Sequence, residues 1–303
     1  AAGFQPLADG SDMGGSLRNP AAFCNVVGFR PSPGVVPDTS DIPSTLSVSG
    51  PLARTVEDLA LLLSVMAGPD RVDRLSFAAP TIDPVPPVVS VVGLRVALAP
   101  TLGGAARVDR EIAERVEQAA RLLEGAGAVI VEAAPDLGGS VEVFRTLRAA
   151  EFFEAFGDDL DSGAEQFVDF LAANIEEGRE LTAVDVLRAQ RGQARLVRAA
   201  SGFFDDHDVL LSATTATLPF PVEDRFPTVV DGAPMRDYLS WMETCLALTP
   251  LGLPGISLPN GFSTSGLPIG LQLTAGPRRD NTLLGIARAV AEVLPPSAHP
   301  LAV

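Results

Sequence analysis

Ser16 is the residue from which a chemical reading of this chain starts. It closes the run Gly10-Ser11-Asp12-Met13-Gly14-Gly15-Ser16 and is followed by Leu17-Arg18-Asn19-Pro20. Two glycines ahead of a serine leave the neighbouring backbone N–H groups uncovered, so a substrate can approach both hydroxyl and amides. Acyl transfer needs that pairing: a nucleophile, and donors that meet the negative charge growing on the carbonyl oxygen. Ser16 is therefore the candidate nucleophile, and the amides of Met13, Gly14, Gly15 and Ser16 are the candidate oxyanion hole. Asp12 and Arg18 flank the loop as an internal charge pair that holds its shape. Asn19 is read either as a polar contact for substrate or as a cap on the loop. Taken by itself, Gly-Gly-Ser is also ordinary turn material.

The rest of the inventory removes competing chemistries. His207 lies between aspartates and His299 sits in a Pro-rich tail, so neither joins a recognisable Ser-His-Asp motif. No His/Cys/carboxylate run has metal-ligand spacing, and no metal or other cofactor is expected. A phosphate-binding GxxxxGK[ST] loop is impossible because the sequence contains no lysine. The net charge of −16 and a pI near 4.5 argue against nucleic acid and anionic membranes as partners. Cys24 and Cys245 stand among apolar neighbours and read as buried, reduced thiols of a cytoplasmic protein. No transmembrane run or lipidation motif is visible.

The elements that must position Ser16 follow from pattern. With 303 residues and 47% hydrophobic content, the chain can bury a large core. An apolar run from Phe23 to Phe29 should lie buried behind the loop. Thr55 with Asp58 three residues on opens a helix carrying Leu59, Leu62, Leu63 and Met66. A strand near Leu94, an amphipathic helix from Asp109 to Gly125 and a strand at Val129 make a strand–helix–strand unit. From about 141 to 204 the pattern turns helical and aromatic-rich, and most of these rings should pack between helices. Asp208 returns the chain to the sheet, and Met235 to Ala247 reads as helix, carrying Tyr238 and Trp241. Two strands around Ile256 and Leu271 and a helix from Asp280 to Val293 complete the chain.

The run GSDMGGSLRNPAAFCNVVGFRPSPGVVP resembles the second half of the amidase signature, the segment that defines a family of serine hydrolases. Gly50-Pro-Leu-Ala-Arg-Thr-Val-Glu-Asp-Leu-Ala and the segments Thr249–Phe262 and Gly266–Leu273 resemble the family as well. The resemblance implies one α/β domain over 1–303, a mixed central sheet flanked by helices in an α/β/α sandwich, incomplete at its N-terminus. It implies an amidase that opens a carboxylic amide through an acyl-enzyme on Ser16. The family's activating lysine and bridging serine would come from sequence upstream of Gly10, so the chain reads as a carboxy-terminal part that is inactive alone. The open partner readings are a small-molecule amide, a homodimer, and a partner chain supplying the missing upstream segment. A catalytically incomplete scaffold and an amidotransferase A-type subunit are the alternative functions.

Overall fold

Eight strands form one mixed sheet in the computed structural model, which describes residues 1–40, 44–76, 79–163 and 166–295. In chain order they are β1 (Leu7–Asp12), β2 (Val27–Arg30), β3 (Val48–Ala53), β4 (Arg95–Leu98), β5 (Val129–Glu132) and β6 (Val209–Ala213). A short separate hairpin of β7 (Val229–Val230) and β8 (Ala233–Pro234) precedes β9 (Gly255–Phe262) and β10 (Pro268–Thr274). The lateral order is β1-β3-β2-β9-β10-β6-β4-β5. The β4–β5 and β4–β6 pairs are parallel and the other pairs of this sheet are antiparallel. The expected strand–helix–strand unit is the crossover from β4 through α3 (Arg110–Gly125) to β5.

Alternation along the strands builds a core on each face. On β6, Val209, Leu211 and Ala213 join one cluster with α2 (Val56–Met66), α3 and α8 (Asp280–Val293) through Leu59, Leu63, Ile112, Val116, Leu283 and Val290. Leu210 points the other way, into a cluster with Phe144, Leu147, Leu196 and Phe204. Those four residues lie on α4 (Ser140–Ser162) and α6 (Ala183–Asp206), with α5 (Asp169–Arg179) packed on α4 between them in sequence. The sheet is thus sandwiched between helical layers, and the helical 141–204 section is built from α4, α5 and α6. Its rings meet one another as expected of packing: Phe152 with Phe156, Phe156 with Phe167, and Phe170 with Tyr238.

The structure corrects two expectations from sequence. The stretch from Met235 to Ala247 is not one helix, because helical geometry begins only at a 3-10 turn, Ser240–Met242, and continues as α7 (Glu243–Leu246). The cause is Asp237, whose Oδ1 accepts the N–H groups of Leu239 and Ser240 at 3.1 Å each and so caps the segment there. Tyr238 therefore precedes the helical part. Cys24 is exposed rather than buried, since it ends the short helix α1 (Arg18–Phe23) where the chain turns through Asn25 at φ 55°. Cys245 is buried, and both thiols are free. His299 lies outside the described residues.

Candidate active site

β1 and α1 are joined by a short loop through Met13–Ser16, and the architecture of the sheet fixes both ends of that loop. β1 pairs with β3 in a register that sets Asp12 opposite Val48. α1 lies directly on the sheet because Gly28 of β2 has no side chain: a Cβ there would collide with the carbonyl oxygen of Leu17. Gly15 is required for a second reason. Its φ is +119°, and a Cβ on it would stand 2.6 Å from Asn19 Nδ2 and 2.8 Å from Cys245 Cβ.

Asp12 is the centre of the loop. Fully buried, its carboxylate accepts the backbone N–H of Gly15 at 2.9 Å, of Leu17 at 3.2 Å and of Arg18 at 3.4 Å. The Arg18 guanidinium meets it as a fork, with Nε and Nη2 each donating at 2.9 Å. Arg30, at the end of β2, stands 3.4 Å from Asp12 Oδ1 and also donates to the Asp12 carbonyl oxygen. Burial alone would raise the carboxyl pKa, but the charges of Arg18 and Arg30, the Arg18 fork and the Gly15 amide hold it well below the usual carboxylate range. The anion is the stable form, and Arg18 beside it is firmly protonated. Burial pushes Arg30 down to about 10 and the Cys245 thiol up to about 12.

A further set of bonds ties the loop to distant elements. Arg18 Nη1 donates to Gln272 Oε1 at 2.9 Å, and Gln272 Nε2 in turn donates to Thr244 O at 3.0 Å and Ser212 Oγ at 3.1 Å. Thr249 Oγ1 donates to Met13 O at 2.7 Å, and the Cys245 thiol to Asn19 Oδ1 at 3.1 Å. Arg30, Gln272, Cys245 and Thr249 were not among the site residues read from sequence. For Arg30 and Gln272 a signal existed: each is a long polar residue beside apolar neighbours in its strand, in Val-Gly-Phe-Arg and Leu-Gln-Leu.

The expected site residues fall on two sides of this network. Ser16 is exposed at the loop surface. The N–H groups of Met13, Gly14 and Ser16 have no hydrogen-bond partner among the described residues, whereas that of Gly15 is engaged by Asp12. Asp12 and Arg18 form the expected ion pair, buried beneath. Asn19 is 4% exposed; its amide lies behind the loop against Gly15, and its Oδ1 accepts from the Cys245 thiol. His207 stacks on Phe203 with ring centroids 4.3 Å apart, and its Nδ1 lies 2.9 Å from Phe203 O. Among the described residues, no group of three His, Cys, Asp or Glu side chains could hold a metal ion, and no helix is long and apolar enough to cross a membrane.

The profile of the Amidase family matches residues 1–284. An acylamidase of Rhodococcus erythropolis is 38% identical over 301 residues, spanning 97% of this chain and 63% of the relative. The A-type subunit of the glutamyl-tRNA(Gln) amidotransferase of Pseudomonas fluorescens is 34% identical, over 95% of this chain and 64% of its own length. The crystal structure of a bacterial aryl acylamidase of the amidase signature enzymes superposes with a TM-score of 0.86 at 25% identity, covering 96% of this chain and 63% of that one. The chain thus spans a little under two thirds of the length of the proteins it resembles.

Proposed function

The chain belongs to the Amidase family, and from that premise we propose that it carries the acyl-accepting part of an amide-hydrolysing site, with Ser16 as nucleophile. The observation that carries this reading is the division of labour in the loop: Ser16 is exposed, and the amides of Met13, Gly14 and Ser16 are uncommitted among the described residues. The buried Asp12 meanwhile spends its bonds on Gly15, Leu17 and Arg18 to fix the backbone. Ser16 Oγ attacks the amide carbon, and the free amides receive the developing oxyanion, each worth on the order of 3 kcal/mol of barrier. The C–N bond then breaks with a proton delivered to the leaving nitrogen, and water releases the acid from the acyl-enzyme.

The hydroxyl must lose its proton to a base. With no lysine in the sequence and His207 stacked on Phe203, we assign that base to residues outside these 303, in a preceding segment or a partner chain. An amidotransferase A-type role is the second reading, supported by the 34% identity to that protein. The higher identity to an acylamidase, 38%, favours hydrolysis. The test is trapping: full-length protein incubated with an acyl anilide and quenched in acid should yield a mass increment equal to the acyl group on Ser16. The Ser16→Ala variant should show neither the increment nor release of aniline. Turnover that survives Ser16→Ala would refute the assignment.

A further inference from the structure

Arg148, on the α4 face that covers the loop, is built to receive something the described residues do not supply. Only 7% exposed, it makes no ion pair among the described residues. Its guanidinium carbon lies 3.8 Å from the centre of the Phe152 ring, so one face of the plane is stacked. Nη2 donates to the Tyr238 hydroxyl, and the buried Nη1 has no partner among the described residues. The charged groups that face it do not neutralise it by contact. Glu177 acts on it from a distance, Arg145 opposes its charge while pairing with Asp237 at 2.7 Å, and Glu151 is bonded to Ser44 Oγ at 2.8 Å. Burying a cation without a contacting anion is costly, and the Phe152 ring and the Tyr238 hydroxyl offset only part of that cost.

Its position ties this to the loop. Phe144 is one helical turn before Arg148 on the same face of α4, and a Cβ on Gly14 would stand 3.4 Å from Phe144 Cζ. Tyr238 and Met13 pack against the same apolar cluster. A group bound at Arg148 would therefore sit about one turn, roughly 5 Å, along α4 from the residue that touches the oxyanion loop. A guanidinium stacked on a ring donates through its edge, and the edge that holds the unpartnered Nη1 and an Nη2 bonded only to a neutral hydroxyl matches the two oxygens of a carboxylate.

We propose that Arg148 is a specificity residue that binds a carboxylate on the substrate, so that the amides taken here are ω-carboxy amides of short dicarboxylic acids; this rests on the hydrolase reading above. Entry of the carboxylate displaces the half-buried Tyr238 hydroxyl from Nη2 and completes the edge. The test uses the full-length protein and compares kcat/KM for succinamate, glutaramate and adipamate with that for butanamide, pentanamide and hexanamide. In the wild type at least one acid should exceed its uncharged counterpart by about tenfold or more. Arg148→Met should abolish that preference through KM, and Arg148→Lys should retain part of it. A preference absent in the wild type, or unchanged by Arg148→Met, overturns the proposal.

Because replacing a buried cation that lacks a contacting anion removes its desolvation cost, Arg148→Met should melt at or above the wild-type temperature. A loss of several degrees in both variants would instead make Arg148 a structural residue and overturn the proposal. Failure of the hydrolase reading is separable. If no amide is turned over, thermal shifts of the Ser16→Ala protein with succinate, glutarate and adipate still decide: a shift that Arg148→Met removes supports the carboxylate site, and no shift, or one independent of Arg148, refutes it.

Discussion

Two arginines, each more than nine-tenths buried, divide the molecule by how they spend their donors. Arg18, under the Met13–Ser16 loop, has its Nε and Nη2 on Asp12 and its Nη1 on Gln272. Arg148, in the helical layer, has one bond to Tyr238 and an Nη1 orphaned among the described residues. Arg30 stands between them: its Nε and Nη2 find no partner among the described residues, but Asp12 is in contact. A saturated buried ion pair holds backbone in place, and its value shows when it is broken. An unsaturated cation keeps donors in reserve. The loop is therefore read as the fixed part of the site and the α4 face as the part that responds to substrate.

This contrast can be broken or sharpened by substitutions of decreasing effect. Asp12→Ala removes the anion shared by Arg18 and Arg30 and frees the Gly15 and Leu17 amides; it should destabilise by about 3–5 kcal/mol, read by urea unfolding. A loss under about 1 kcal/mol, the scale of an exposed pair, would remove the loop's claim to be fixed by that network. Acid should reach the same carboxylate more gradually. Because the folded pKa of Asp12 is depressed, its contribution is complete above the unfolded value near 4 and is lost as pH falls through the folded one. Melting temperature should accordingly decline below about pH 4, and a flat acid limb would contradict the buried anion. Asn19→Ala removes the shortest of the Cys245 thiol's contacts, 3.1 Å against 3.3 Å to Thr214 O and 3.5 Å to Gln272 Oε1, and opens a gap behind Gly15. It should cost about 1–2 kcal/mol with little change in the ranking of substrates; a changed ranking at unchanged stability would return Asn19 to the pocket.

Much of the fold follows from local pattern. The last helix spans Asp280–Val293 as expected, and α3 begins at Arg110 after Asp109, because apolar residues recur at helical spacing through both. Thr55 Oγ1 accepts the Asp58 N–H at 3.1 Å, which is the expected cap. Met235–Ala247 misled because a carboxylate at Asp237 captured the backbone before a helix could start, an event that composition does not display. In the site, Asp12 and Arg18 were legible because they stand only six positions apart. Gln272 and Thr249 were not, since they reach the loop across more than 230 residues of sequence and only the sheet brings them there. Asn19 shows the converse: its place in the motif was visible, but which way its side chain turns depends on Cys245.

The central claim is that Ser16 is the nucleophile of a loop whose amides await an oxyanion. Treatment of the full-length protein with a fluorophosphonate, followed by digestion and mass mapping, tests it directly. The account predicts one phosphonylated serine, Ser16, in the tryptic peptide that ends at Arg18, with labelling abolished in Ser16→Ala. Label on another serine, or none at Ser16 in a protein that still turns over amides, would contradict it.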